Sequence, residues 1–350
     1  MTMIIEPLPG ANFGVLARFP DAADAAAKIA VAEAKRDALL DAFYQARGLM
    51  VMPGMAAITD QPGLLVRLSR LFGPDVENYH QTLTVKTKLH ASVAEILVVS
   101  NTAPANQMPP SQPDPPRTAD GGLPVQFPQR RGWHTDQSFR RPPPDVALFY
   151  CVKPAPMGQG QTLYADGAGA YEALPPALKA RTVGLEGYHV TPGTGRSETA
   201  VRAGDTPRPL LHHQRPQRQP VVRIHPVTGQ PALYLCEAGQ MDWIEGPLVD
   251  MASGPDGDGA ALLYDLMSHF TQPQFTYTHD WDQGDIVIYD NRSTIHAATW
   301  FDADAHDRLM WRTTVTGNPG RAYAGEKPSW IPDDGIRPSD GLDDLDSPDD

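Results

Sequence analysis

Cysteine is almost missing from this chain: two residues in 350, Cys151 and Cys236, both inside apolar runs. That excludes a disulfide framework and points to a reducing, cytoplasmic setting. No run of about 18 apolar residues occurs, so no membrane-spanning helix is expected. The opening Met1-Thr2-Met3-Ile4-Ile5-Glu6-Pro7 lacks the basic segment and sustained apolar stretch of a secretory leader. There is no internal repeat, which excludes solenoids and propellers. An excess of basic residues is missing too: Lys+Arg number 29 against 42 Asp+Glu, a net charge of -13, and no nucleic-acid partner is expected. Seven of those net negative charges fall in residues 332–350, where eight Asp face one Arg. Such a composition predicts a solvated, disordered acidic tail behind a mildly acidic body, residues 1–331, read as one domain.

What is present is a globular composition, 41% hydrophobic and 20% charged, with 36 prolines, about twice the usual share. The prolines cluster in two long aperiodic stretches, 102–131 and 191–220. Loops of that length inside a compact domain are usually functional or disordered, so both are lid candidates. From the second stretch into the strand after it, Arg196 to Arg223 counts six Arg against Glu198 and Asp205, a run read either as a solvated face or as a binding surface. Residues 20–47 read as an Ala-rich helix stopped by Gly48, and a second helix is expected from Thr59-Asp60 to Gly73. Short apolar or alternating runs at 49–52, 96–100, 146–152, 162–164, 183–189, 286–289, 295–298 and 309–315 read as strands. A hairpin is expected around Pro226-Val227-Thr228-Gly229-Gln230, and one more helix over 259–270. Many short strands with few helices predict a mainly β fold, a barrel or jelly roll with flanking helices.

The chemistry is expected at Trp133-His134-Thr135-Asp136. On a strand, residues i and i+2 share a face, so His134 and Asp136 can reach one metal ion without strain. A His-x-acid match arises about once by chance in a chain of this composition. The pair gains weight from a second imidazole, His296, and from Arg308 and Arg312, which share a strand face at i and i+4. Two inward guanidinium groups require anions, because an unpaired buried charge is very costly.

These residues, together with Gly158-Gln159-Gly160-Gln161-Thr162-Leu163, Ala170-Tyr171-Glu172-Ala173-Leu174-Pro175, His225-Pro226-Val227-Thr228-Gly229 and Gly284 to Arg292, resemble the iron(II)- and 2-oxoglutarate-dependent dioxygenases of the taurine and dichlorophenoxyacetate type. The likeness runs over about residues 65–318. It implies a double-stranded β-helix (jelly-roll) core. It also implies Fe(II) held by His134, Asp136 and His296, three coordination sites left for 2-oxoglutarate and O2, and Thr162 with Arg308 as the clamp for the cosubstrate's distal carboxylate. Arg312 matches the position that grips the taurine sulfonate, though it can equally pair with an acidic neighbour inside the barrel. His80 matches a further substrate contact. Cys236 stands where relatives usually have Asn, and the 102–131 loop is longer than in compact members. The expected substrate is therefore an anionic small molecule, a carboxylate or sulfonate, bulkier than taurine. Two rivals stay open: the same cofactors used for desaturation or cyclisation, and a non-redox metal-binding barrel or zinc hydrolase. The second has no use for a dicarboxylate clamp. A homo-oligomer is compatible with all of these readings.

Overall fold

The computed structural model describes residues 2–331 apart from positions 83 and 238, so the acidic tail lies outside the described residues. In chain order the elements are β1 (Ile4–Pro7), β2 (Val15–Arg18), α1 (Ala25–Ala34), α2 (Arg36–Gln45), β3 (Leu49–Met52), α3 (Gly63–Ser69), β4 (Asp75–Val76), β5 (Leu97–Ser100), β6 (Val146–Lys153) and β7 (Thr162–Asp166). They continue with α4 (Gly167–Glu172), α5 (Pro176–Arg181), β8 (Glu186–His189), α6 (Glu198–Ala203), β9 (Gln217–Pro220), β10 (Val222–Ile224) and β11 (Pro231–Leu233). The last are α7 (Asp258–Phe270), β12 (Thr276–His279), β13 (Ile286–Asp290), β14 (Thr294–Ala298) and β15 (Leu309–Thr316).

A large sheet runs β1-β2-β3-β13-β6-β15-β4, with β5 also on β15; a small sheet runs β12-β7-β14. The two face each other as a double-stranded β-helix. Period-two alternation explains the layering. On the large sheet Met50, Leu148, Tyr150, Ile286, Ile288 and Trp311 point out against α1 to α3, whereas Leu49, Val51, Ala147, Val287, Tyr289 and Met310 point in. On the small sheet Leu163, Ala165, Ile295 and Ala297 pack outward on α7 through Leu262, Leu263, Leu266 and Phe270. Each such Leu or Phe contributes about 1.5–3 kcal/mol by leaving water. The alternation therefore fixes which side chains can enter the space between the sheets. Tyr164 and His296 do, on the face opposite Leu163 and Ile295.

The strands and the final helix fall where the pattern places them, with three corrections elsewhere. The 20–47 helix is two helices, broken at Lys35 (φ -118, ψ 28), which lets α1 bury Ile29 and α2 bury Leu39 and Phe43 in one core. The second helix is shorter, because Pro62 caps it without an N–H to extend the turn. The stretch 191–220 is not irregular throughout. Ser197 Oγ accepts from the Ala200 amide to start α6, Gly204 at φ +78 ends it, and β9 pairs with β8. Residues 102–131, by contrast, contain no helix or strand. Their last part is moored, the Phe127 amide donating to Thr271 Oγ1 (2.8 Å) at the end of α7. No helix among the described residues is long and apolar enough to cross a membrane.

Candidate active site

The segment before His134 extends the small sheet. The His134 amide donates to the His296 carbonyl (2.9 Å) and the His296 amide to the His134 carbonyl (2.7 Å), a single antiparallel rung beside β14. On the other side the buried Glu237 accepts from the Trp133 amide (2.9 Å), while its own amide donates to the Trp133 carbonyl (2.7 Å). Burial pushes the Glu237 carboxyl up to about 7 against those backbone amides. Asn291 fixes Thr135 and Asp136: its Oδ1 accepts from the Asp136 amide (3.1 Å), and its carbonyl accepts from the Thr135 hydroxyl (2.8 Å). Asn291 is held in turn by its neighbours, since Asp290 bonds Arg292 Nη2 (2.6 Å) and His225 Nε2 (2.9 Å) in the barrel wall. The His225 to Gly229 motif is thus a brace: the other ring nitrogen, Nδ1, accepts from the Val227 and Thr228 amides.

The expected trio comes together. One ligand atom from each of His134, Asp136 and His296 lies within 4.8 Å of the others. The His rings are 4.3 Å apart by centroid, and His296 Nε2 is 3.8 Å from Asp136 Oδ1. Their chemistry suits a cation. His134 Nδ1 bonds the Gly132 carbonyl (2.7 Å), which leaves the Nε2 lone pair free. Burial, with the neighbouring His134, drives His296 down to about 3, so it is a neutral imidazole at neutral pH. Burial alone would raise the Asp136 carboxyl, but Arg312, His296 and His134 outweigh it and hold it at about 2. Two imidazoles and one carboxylate on one face are the donor set of a non-haem iron centre.

Thr162 and Arg308 are both buried beside the space between the sheets. Thr162, buried at the start of β7, accepts from Trp281 Nε1 (3.0 Å) through Oγ1. Arg308 enters just before β15 on the inner face, its guanidinium carbon 5.7 Å from the Phe149 ring centre. It is 7% exposed, and its Nε and Nη2 have no hydrogen-bond partner. Burial lowers it to about 10, a measure of how much an anion there would gain. Gly160 explains the Gly-x-Gly spacing: at φ +58, a Cβ there would sit 3.1 Å from Arg308 Cδ and 3.2 Å from its Nε.

Of the two readings left open for Arg312, the structure shows contact with an acidic neighbour, Nη1 donating to Asp136 Oδ1, with Nε left unpartnered. His80 does not join the site. Its ring is exposed, and it is Tyr79 that turns inward, hydroxyl to hydroxyl with Thr314 (2.6 Å). The Arg-rich stretch is largely accounted for. Arg196 pairs with Asp242 (2.8 Å), Arg202 with Glu198 (2.8 Å) and Arg218 with Glu186, and Arg223 lies between the Tyr234 and Tyr323 rings. Arg208 and Arg215 are exposed. Sequence reasoning missed Tyr289, whose hydroxyl donates to Asp136 Oδ2 (2.7 Å), and Tyr164, buried opposite it. The signal was there in the period-two pattern, which puts Tyr164 on the face of Thr162.

The family model described as taurine catabolism dioxygenase TauD, TfdA family matches residues 5–314. The chain is 31% identical over 185 residues to the alpha-ketoglutarate-dependent 2,4-dichlorophenoxyacetate dioxygenase of Cupriavidus pinatubonensis, a match covering 52% of this chain and 59% of that one. It is 30% identical over 193 residues to the alpha-ketoglutarate-dependent sulfate ester dioxygenase of Pseudomonas putida, covering 53% and 59%. The chain thus spans about three-fifths of the length of these curated relatives. Among solved structures, that of AAD-2 in complex with Mn(II) and N-oxalylglycine aligns with a TM-score of 0.61 at 24% identity over 91% of this chain and 98% of that one, a likeness of fold.

Proposed function

The chain belongs to the taurine catabolism dioxygenase TauD, TfdA family, and from that membership we propose that it is an iron(II)- and 2-oxoglutarate-dependent oxygenase acting on an anionic small molecule bulkier than taurine. One observation carries the reading: a buried guanidinium, that of Arg308, whose Nε and Nη2 have no partner among the described residues, shares the space between the sheets with a His-Asp-His cluster. A metal-binding barrel or hydrolase explains the cluster and leaves Arg308 as an uncompensated charge. His134, Asp136 and His296 would hold the iron, and Thr162 with Arg308 the distal carboxylate of 2-oxoglutarate. The bound pair supplies oxidation of an unactivated C–H bond by molecular oxygen. The chain's own share is to orient. Asn291 fixes Asp136 through the backbone, Tyr289 holds one carboxylate oxygen, and Tyr164, Tyr289 and Phe149 line the space between. The test is visible absorption on adding ferrous iron and 2-oxoglutarate without oxygen. A charge-transfer band supports the oxygenase, and its absence removes it.

The finer reading, an anionic prime substrate, is supported by two cations. Arg312 keeps a free Nε, and the half-buried Lys88, lowered by burial and by Arg312, has no carboxylate partner among the described residues. The relatives named for a phenoxyacetate and a sulfate ester favour the same charge. Aryloxyacetates, alkyl sulfates and alkyl sulfonates, each beside an uncharged amide or ester, are the panel to screen for succinate release. The acids are expected to be favoured about ten-fold or more in kcat/KM, the worth of one charge-assisted hydrogen bond, and Arg312→Leu to narrow that margin. Equal turnover of acids and neutral analogues would remove the anion reading.

Residues 102–131 are proposed as a lid over bound substrate, which keeps water from the reacting centre. They are moored near Phe127, largely exposed over 105–122, and run directly into His134. Shortening 106–122 should raise 2-oxoglutarate consumed per product formed. An unchanged ratio would make this stretch a surface insertion.

A further inference from the structure

Beyond Thr162 and Arg308, the geometry points to the Tyr164 hydroxyl as a third donor to the distal carboxylate of 2-oxoglutarate. The inference rests on the oxygenase reading above, and it concerns how this chain positions the cosubstrate. Tyr164 is completely buried, and its hydroxyl has no hydrogen-bond partner, a situation folded proteins rarely leave without a use. Its location narrows the use. In the β7–β14 pairing Tyr164 stands across from His296, and Thr162 across from Ala298. Tyr164 therefore occupies the inner-face position between a proposed metal ligand and the proposed clamp. Its ring lies 6.1 Å from that of His296 and 5.3 Å from that of Tyr289.

The hydroxyl has no acceptor on the metal side. Both oxygens of Asp136 are taken, one by Tyr289 and one by Arg312. On the other side stand Thr162, Arg308 and Tyr277. The Tyr277 hydroxyl is engaged with His279 Nδ1 (3.0 Å). Thr162 Oγ1 accepts from Trp281 Nε1, and its hydroxyl lies beside that of Tyr164 without a hydrogen bond between them, so its O–H can turn to an incoming acceptor. Arg308 presents Nε and Nη2 without partners, and is close enough for its charge to act on the Tyr164 hydroxyl. Three side chains able to donate, converging with no carboxylate among them, describe a cradle for an anion. A carboxylate offers about four lone-pair sites, enough for a guanidinium fork and two hydroxyls. A lone water could satisfy Tyr164, but it would leave Arg308 uncompensated.

Tyr164→Phe keeps the ring and removes only the donor. The full chain, with ferrous iron and without oxygen, is titrated with 2-oxoglutarate and with 2-oxobutyrate, which lacks the distal carboxylate, and the charge-transfer band is followed. The metal-free protein is melted in parallel. The variant is expected to bind 2-oxoglutarate about ten-fold more weakly and 2-oxobutyrate within about two-fold of the wild type. Its ligand-free melting temperature should not fall, since the lost hydroxyl had no protein partner. Unchanged 2-oxoglutarate affinity, an equal loss for both ligands, or a melting temperature several degrees lower would overturn the assignment and leave the oxygenase reading standing. A wild type that gives no band with 2-oxoglutarate would instead remove the oxygenase reading itself.

Discussion

His296→Ala and Asp136→Ala are each expected to abolish 2-oxoglutarate turnover, with losses well beyond the ~10–100-fold typical of removing a group that merely supports a metal ligand. Turnover and bound iron, measured on the purified variants, check this. Wild-type activity in either would dismiss the site. The two should differ in stability, and the difference is informative. His296 is a neutral imidazole whose Nδ1 has no partner, so its removal breaks no ion pair. Asp136 accepts from both Arg312 and Tyr289, and deleting it strands a buried guanidinium. Breaking a buried pair from one side costs about 3–5 kcal/mol. Asp136→Ala should therefore unfold at distinctly lower denaturant concentration than His296→Ala, while both lose activity alike.

Arg308→Ala is expected to weaken 2-oxoglutarate by about 1.5–3 kcal/mol, roughly 10- to 150-fold in apparent affinity, with a much smaller effect on the prime substrate. The sign for stability is the reverse of that for Asp136. Nε and Nη2 of Arg308 are buried without partners, so the ligand-free fold carries the cost of an unpaired charge. Arg308→Met, which fills similar space without charge, should raise the ligand-free melting temperature while lowering cosubstrate affinity. An unchanged affinity would assign the clamp to another residue.

The sheets and the ligand set were readable from sequence because both obey a local rule. Alternation with period two separates Met50 from Val51 and Ile288 from Tyr289, and the same period sets His134 and Asp136 on one face. It also carries Arg308 and Arg312 to one side of a strand, although β6 bulges opposite Leu309 and Met310. What local rules could not supply was partnership. Nothing near Arg312 in sequence announces Asp136, and nothing near Arg196 announces Asp242. The charge run from Arg196 to Arg223 therefore looked freer than it is. His80 and Tyr79 are adjacent, and only the fold decides which one turns inward. The break at Lys35 belongs to the same class, because an Ala-rich sequence favours helix on either side and tertiary packing places the bend.

The backbone rung between His134 and His296 has a kinetic meaning. Each residue's amide is bonded to the other's carbonyl, and His296 is paired on its far side to Tyr164 in β7. His134 depends on this one rung for its place beside β14, whereas His296 is held by a full strand pairing. Local opening of the rung would therefore loosen His134 first and leave His296 in the sheet. The amide protons of both residues are expected to exchange with solvent through that same opening, at one rate.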